Sequence, residues 1–165
     1  MTEAQPESAA TTSMRPRLPP NWFIRFAWAV HRAIFRWTGG RRGIWKAKPE
    51  AWGTFRLHTV GRKSGKERIA ILGYQPDGEN VVTVAMNGWM EGDPAWWLNL
   101  QAHADAVVRL PDEGPRAVRA RAARGEERDR LWRQWRSVAP KLDGYAGRRA
   151  IETPVVVLEP RDGAA

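Results

Sequence analysis

A small, mostly antiparallel β-barrel with helices on its outside is the architecture this sequence predicts, a mainly β arrangement within the α+β class. Three observations lead there. From Thr54 onward, apolar residues alternate or run continuously over strand-length stretches. Their connections GRKSGKE, QPDGE and PDEGP have hairpin length and carry the glycine, proline and polar residues that turns use. Few helical patterns interrupt them, so strands adjacent in sequence are expected to pair antiparallel.

Residues 1–20, MTEAQPESAATTSMRPRLPP, lack the charged-then-apolar order of a secretory signal and read as a disordered tail. NWFIRFAWAVHRAIFRW (21–37) has helical periodicity, with Asn21, Arg25, Arg32 and Arg36 in one stripe and aromatic or aliphatic residues over the rest. Thr38, Gly39 and Gly40 stop it. Its cations break any apolar run of the roughly 20 residues that crossing a bilayer requires. Two roles fit it: packing on the core with one solvated edge, or lying on a membrane surface.

TFRLHTV, RIAILGY and NVVTVAM follow as three expected strands. Asp93 and Pro94 then open PAWWLNLQA, with Asp as the expected helix cap and Pro in the first helical position. DAVVRL and RAVRARAA suit a second hairpin across PDEGP. GEERDRLWRQWRSV carries acids in its first turn and Leu131, Trp135 and Val138 at i, i+4 and i+7, which predicts an amphipathic helix with that face inward. PVVVLE closes the sequence of elements as a buried strand. The expected organisation is one domain over residues 21–160, with a short tail at 161–165.

Composition narrows function by exclusion. The 165 residues include 42% hydrophobic side chains, enough for a real core. No cysteine is present, which removes disulfides, thiolate metal sites and cysteine nucleophiles. Any redox chemistry must therefore come from a bound cofactor. A formal charge of +9 favours phosphates, anionic lipids or an acidic ligand as partners. His31, His58 and His103 are scattered outside any metal-binding spacing, so no metal is expected. No serine sits in a GxSxG elbow. The expected location is cytoplasmic, with residues 21–37 offering peripheral contact with the inner face of the membrane.

The most informative stretch is GRKSGKER (61–68), where Arg62, Lys63, Lys66 and Arg68 crowd into one turn. A turn needs glycine and polarity but not four cations. It is not a nucleotide-hydrolase phosphate loop, because only three residues separate its glycines, Glu67 stands where that motif has Ser or Thr, and a strand follows instead of a helix. Backbone amides and basic side chains of such a turn can still grip an anion. A solvated basic turn is the other reading. In MNGWMEGDPAWWLNLQAHAD, aromatic rings and amides meet near a loop, where Trp96 and Trp97 suit either the wall of a flat ring or packing of helix on barrel.

Taken together, LHTVGRKSGKER, the strand ending AMNG, DPAWWLNLQAHAD and TPVVVLEP resemble the deazaflavin-dependent nitroreductase and quinone reductase family, from about Trp22 to Pro160. The resemblance implies a split β-barrel, flavin-reductase-like, and the hydride carrier coenzyme F420, an 8-hydroxy-5-deazaflavin with a phosphate and a polyglutamate tail. It implies a phosphate grip from Arg62, Lys63, Ser64, Gly65 and Arg68, with Lys66 meeting the tail. Asn87, Gly88, Ala95 and Trp96 would line the ring. Tyr145 matches a tyrosine beside the acceptor, with a catalytic role or simple barrel cover as its alternatives. The chain departs from the nitroreductases in having Ala139 and Leu142 in place of tyrosines and Asn87 in place of lysine. A quinone is the acceptor this pattern implies.

Two rivals remain at the level of sequence. Split barrels also bind flavin mononucleotide, and some hold a cofactor without turnover. Ten tryptophans and the basic strip Arg116, Arg119, Arg121 and Arg124 could serve a nucleic acid, but no recognisable module accompanies them and no nucleic-acid partner is expected. The oligomeric state is left open.

Overall fold

The computed structural model describes residues 44–87 and 90–161. The expected tail 1–20, the helix at 21–37 with its membrane contact, Gly88 and residues 162–165 lie outside the described residues.

Six strands close into a barrel in the order β1-β2-β3-β6-β5-β4, every neighbouring pair antiparallel. They are β1 (Gly53–Val60), β2 (Glu67–Asp77), β3 (Asn80–Val84), β4 (Asp105–Arg109), β5 (Pro115–Ala122) and β6 (Val155–Pro160). The helices are α1 (Ala95–Ala102), α2 (Gly125–Val138) and α3 (Leu142–Ala146). Strand order and the expected hairpins agree with the sequence-based architecture.

Side-chain alternation divides the apolar residues between two cores. Phe55, Leu57, Val81, Val108, Val118, Val156 and Leu158 form one cluster, to which α1 adds Trp96, Trp97 and Leu100. Val82, Val155 and Val157 form the other with Leu131 and Trp135 of α2. β6 is apolar at successive positions because it serves both clusters. Leu131 and Trp135 are buried as expected, each worth about 1.5–3 kcal/mol in apolar transfer, while Val138 is only half-buried at the end of the helix.

Three local expectations are corrected. The residue at the N-cap of α1 is Pro94, whose carbonyl accepts from the Trp97 and Leu98 N–H groups. Asp93 makes no cap because its carboxylate is drawn to Arg149, 3.0 Å away. β3 ends at Val84, since the Met86 N–H turns back to the Val84 carbonyl, although Ala85 still donates to Pro154. Tyr145 lies on α3, a short helix absent from the expected elements. Its five residues include Gly144 and offer too little periodicity to predict a helix.

Candidate functional site

The basic turn joins β1 to β2 and is closed by Val60 pairing with Glu67. Gly61 donates to the Lys66 carbonyl at 2.8 Å, and its own carbonyl accepts from Ser64 at 3.1 Å and Gly65 at 2.8 Å. Gly65 has φ +66°, a conformation that an L side chain resists. Ser64 Oγ accepts from the Lys66 N–H and the Arg68 guanidinium, both at 3.4 Å. Among the described residues, the Lys63 N–H is the turn amide left without an acceptor.

Asn99 on α1 holds this turn from below. Its Oδ1 accepts the Arg62 N–H at 3.2 Å and the Arg62 guanidinium at 3.4 Å, while its Nδ2 donates to Thr59 Oγ1 at 3.3 Å. Thr59 in turn donates to the Arg68 carbonyl at 3.4 Å. One buried amide thus ties both stems of the hairpin to the helix. The role of Asn99 was missed from sequence, although a polar residue on the buried side of WWLNLQ calls for a partner.

Many arginines elsewhere are paired with carboxylates, whereas Lys48, Arg109, Arg116, Arg124, Arg133 and Lys141 are, among the described residues, scattered cations without such a partner. Arg119 and Arg161 bind Asp105, Arg121 binds Glu127 and Glu159, Arg130 binds Asp77, and Arg136 binds Asp143. Among the described residues, Arg62, Lys63, Lys66 and Arg68 have no carboxylate partner. The one acid in GRKSGKER, Glu67, faces His58 Nδ1 at 2.8 Å. Neighbouring cations without a counter-charge leave a local positive potential that an anion relieves. In the candidate nucleic-acid strip Arg119 and Arg121 are paired with carboxylates of this chain, while among the described residues Arg116 and Arg124 are not.

Carboxylates elsewhere respond to their arginines in the expected sense. Two hydrogen bonds from Arg130 hold Asp77 below the ordinary carboxylate range despite an opposing desolvation effect. Arg121 does the same to Glu127, and its own proton is held more tightly in return.

In the connection that precedes α1, Asn87 is half-buried and donates through Nδ2 to the Glu91 carbonyl. Ala95 is exposed. Trp96, expected to line a ring, is 8% exposed and belongs to the barrel core beside Trp97, so packing accounts for most of its surface. Tyr145 is half-buried. Its helix is fastened to α2 where Asp143 accepts from Trp132 Nε1 at 2.8 Å and pairs with Arg136 at 2.9 Å. Just beyond α3, Arg149 reaches Ala85, Gly92 and Asp93, which links the Tyr145 segment to the loop bearing Asn87. Nothing in the sequence distinguished Arg149 from its exposed-looking neighbour Arg148.

The donor set suits a phosphate-bearing cofactor. The turn offers one open amide and cations lacking carboxylate partners, all exposed, and α1 fixes their position relative to the loop at 85–93. These are the groups that phosphate oxygens and an acidic tail require.

The fold is a split β-barrel of the flavin-reductase-like class. The family matching residues 29–160 is described as F420H(2)-dependent quinone reductase. The chain belongs to that family and is an F420-dependent oxidoreductase. The Mycobacterium tuberculosis (strain ATCC 25618 / H37Rv) protein Rv3178, provisionally named an F420H(2)-dependent quinone reductase, is 33% identical over 114 residues, which is 66% of this chain and 90% of that one. A solved F420-H2 dependent reductase, FDR-A, superposes with a TM-score of 0.57 at 27% identity, covering 64% of this chain and 93% of its own. A domain-swapped dimer at 24% identity has a TM-score of 0.59, with 82% of this chain and 99% of that chain covered. The latter likeness concerns the fold.

Proposed function

We propose that the protein passes a hydride from reduced F420 to a flat, apolar, oxidised acceptor of the quinone class, with the basic turn as the grip for the coenzyme's phosphate. The observation that carries this reading is the density of cations without a counter-charge: among the described residues, the four in one ordered turn of eight residues have no carboxylate partner. Lys63 contributes a backbone N–H and an ammonium, and Arg68 a guanidinium held against Ser64. Arg62 is turned toward Asn99, so its first duty is to shape the turn, with the cation joining the field around the phosphate. Lys66 is assigned to the carboxylates of the tail.

The coenzyme supplies the hydride, and the protein's work is to bind, orient and shield it. On this reading Asn87 and Ala95 border the ring, Trp96 backs that wall from the core, and the Tyr145 hydroxyl orients the acceptor by a hydrogen bond. The named relatives make a quinone the first acceptor to try.

The test is a fluorescence titration with the deazaflavin beside flavin mononucleotide, followed by mixing the reduced complex with menadione. Micromolar deazaflavin binding with oxidation of the reduced form supports the reading. Preference for flavin mononucleotide, or deazaflavin binding without transfer to any of several quinones, overturns it.

A further inference from the structure

Arg149 is the least expected charge in the molecule, with a side chain only 1% exposed. Burying a guanidinium is costly unless hydrogen bonds compensate it. Here Nη1 donates to the Ala85 carbonyl at 2.8 Å and to Thr153 Oγ1 at 3.0 Å. Nη2 donates to the Gly92 carbonyl at 2.9 Å and to Asp93 Oδ1 at 3.0 Å. The next residue repeats the connection, because the Ala150 N–H reaches both carboxylate oxygens of Glu91 at 3.2 and 3.3 Å.

These partners lie at meaningful places in the chain. Ala85 is where β3 ends, and Gly92 and Asp93 lead into α1, so one planar group clamps the two ends of the connection that carries Asn87. Arg149 also sits one turn beyond Tyr145, with its own N–H bonded to the Ala146 carbonyl. A lysine could neutralise Asp93 but could not span two carbonyls, a hydroxyl and a carboxylate with one rigid fork. The basic turn is held separately, by Asn99.

We propose that Arg149, with Asp93, is the positioning residue for the ring and acceptor side of the site: it fixes the spacing of Ala85 from Gly92 and Asp93 and their placement against the Tyr145 segment, and so selects which acceptors fit over the ring. This inference rests on the functional reading above. It separates the site into two halves, an anion grip held by Asn99 and a ring and acceptor wall held by Arg149.

The experiment compares wild type, Arg149→Lys and Asp93→Asn in deazaflavin affinity, in steady-state kinetics with menadione and a bulkier quinone, and in amide hydrogen exchange. Asp93→Asn keeps the arginine's other three contacts and serves if Arg149→Lys does not fold. Expected are a coenzyme Kd that rises less than acceptor kcat/KM falls, because Asn87 borders the ring while the phosphate is held at 61–68, a fall of about tenfold or more in acceptor kcat/KM that differs between the two quinones, and faster exchange at 85–87 and 90–93 but not across 61–68. Unchanged acceptor kinetics in folded variants, or an equal loss of coenzyme affinity, overturns the inference alone. A wild type that binds no deazaflavin overturns the functional reading and this inference together.

Discussion

The side-chain oxygen of Asn99 accepts the backbone N–H of Arg62 from 37 residues away in sequence, and through that bond a helix sets the shape of a hairpin turn. Removing it frees the Arg62 amide, the Arg62 guanidinium and Thr59 together. Each neutral bond of this kind contributes about 0.5–1.5 kcal/mol. Asn99→Ala is therefore expected to weaken deazaflavin binding roughly tenfold, equivalent to about 1.4 kcal/mol. Fluorescence titration measures it, and an affinity within twofold of wild type would detach Asn99 from the anion site.

Lys63 and Arg68 should act directly. Charge-assisted bonds to a phosphate are worth about 1.5–3 kcal/mol, and exposure of both side chains places them at the lower end. Each substitution to alanine is expected to raise the coenzyme Kd by roughly ten- to thirtyfold. Titration at several salt concentrations adds a check, since the wild-type affinity must fall with salt more steeply than that of either variant.

The barrel was legible because its signals are local. Alternation in TFRLHTV and NVVTVAM, and turn chemistry in QPDGE and PDEGP, each specify a strand or hairpin without distant information. The basic turn was equally visible, since charge density is a property of consecutive residues. What escaped was long-range pairing. Asp93 looked like a helix cap because Asp before Pro-Ala has that local meaning, and only the fold reveals an arginine 56 residues later competing for it. Asn99 and Arg149 went unassigned for the same reason: the partners of a buried polar group are set by topology, which residue spacing does not encode.

Gly65 tests whether the turn's shape matters separately from its charge. A Cβ built there meets nothing within 4 Å, so any cost of Gly65→Ala comes from the backbone at φ +66°. That cost is about 1–2 kcal/mol. The variant is expected to show a lower melting temperature and weaker coenzyme binding, with Gly65→Asn recovering part of both because Asn tolerates this conformation. Equal behaviour of Ala and Asn would remove backbone strain as the cause.

Stability should respond to acid through Asp77 and Glu127. Hydrogen bonds from Arg130 and Arg121 depress both carboxyl pKa values in the folded state. Their contribution is complete above the unfolded carboxylate range near pH 4 and is lost as pH falls through the depressed folded values. Melting temperature should thus decline as pH drops below about 4. Asp77→Asn is expected to be less stable than wild type at neutral pH and to lose less on acidification. Parallel pH profiles for the two proteins would count against the linkage.

Tyr145 separates binding from turnover. Its helix is fixed to α2 through Asp143, a tie that replacing the ring's hydroxyl alone does not touch. If the hydroxyl orients an acceptor, Tyr145→Phe keeps the wild-type coenzyme Kd and lowers kcat/KM for a quinone by roughly three- to tenfold, the value of one hydrogen bond made to the reacting molecule. Rates should fall most for acceptors with a carbonyl or nitro oxygen able to receive that bond. Wild-type rates across several quinones and a nitroaromatic would assign Tyr145 to barrel cover, and the polar contact to the acceptor would then have to come from the Asn87 side of the site.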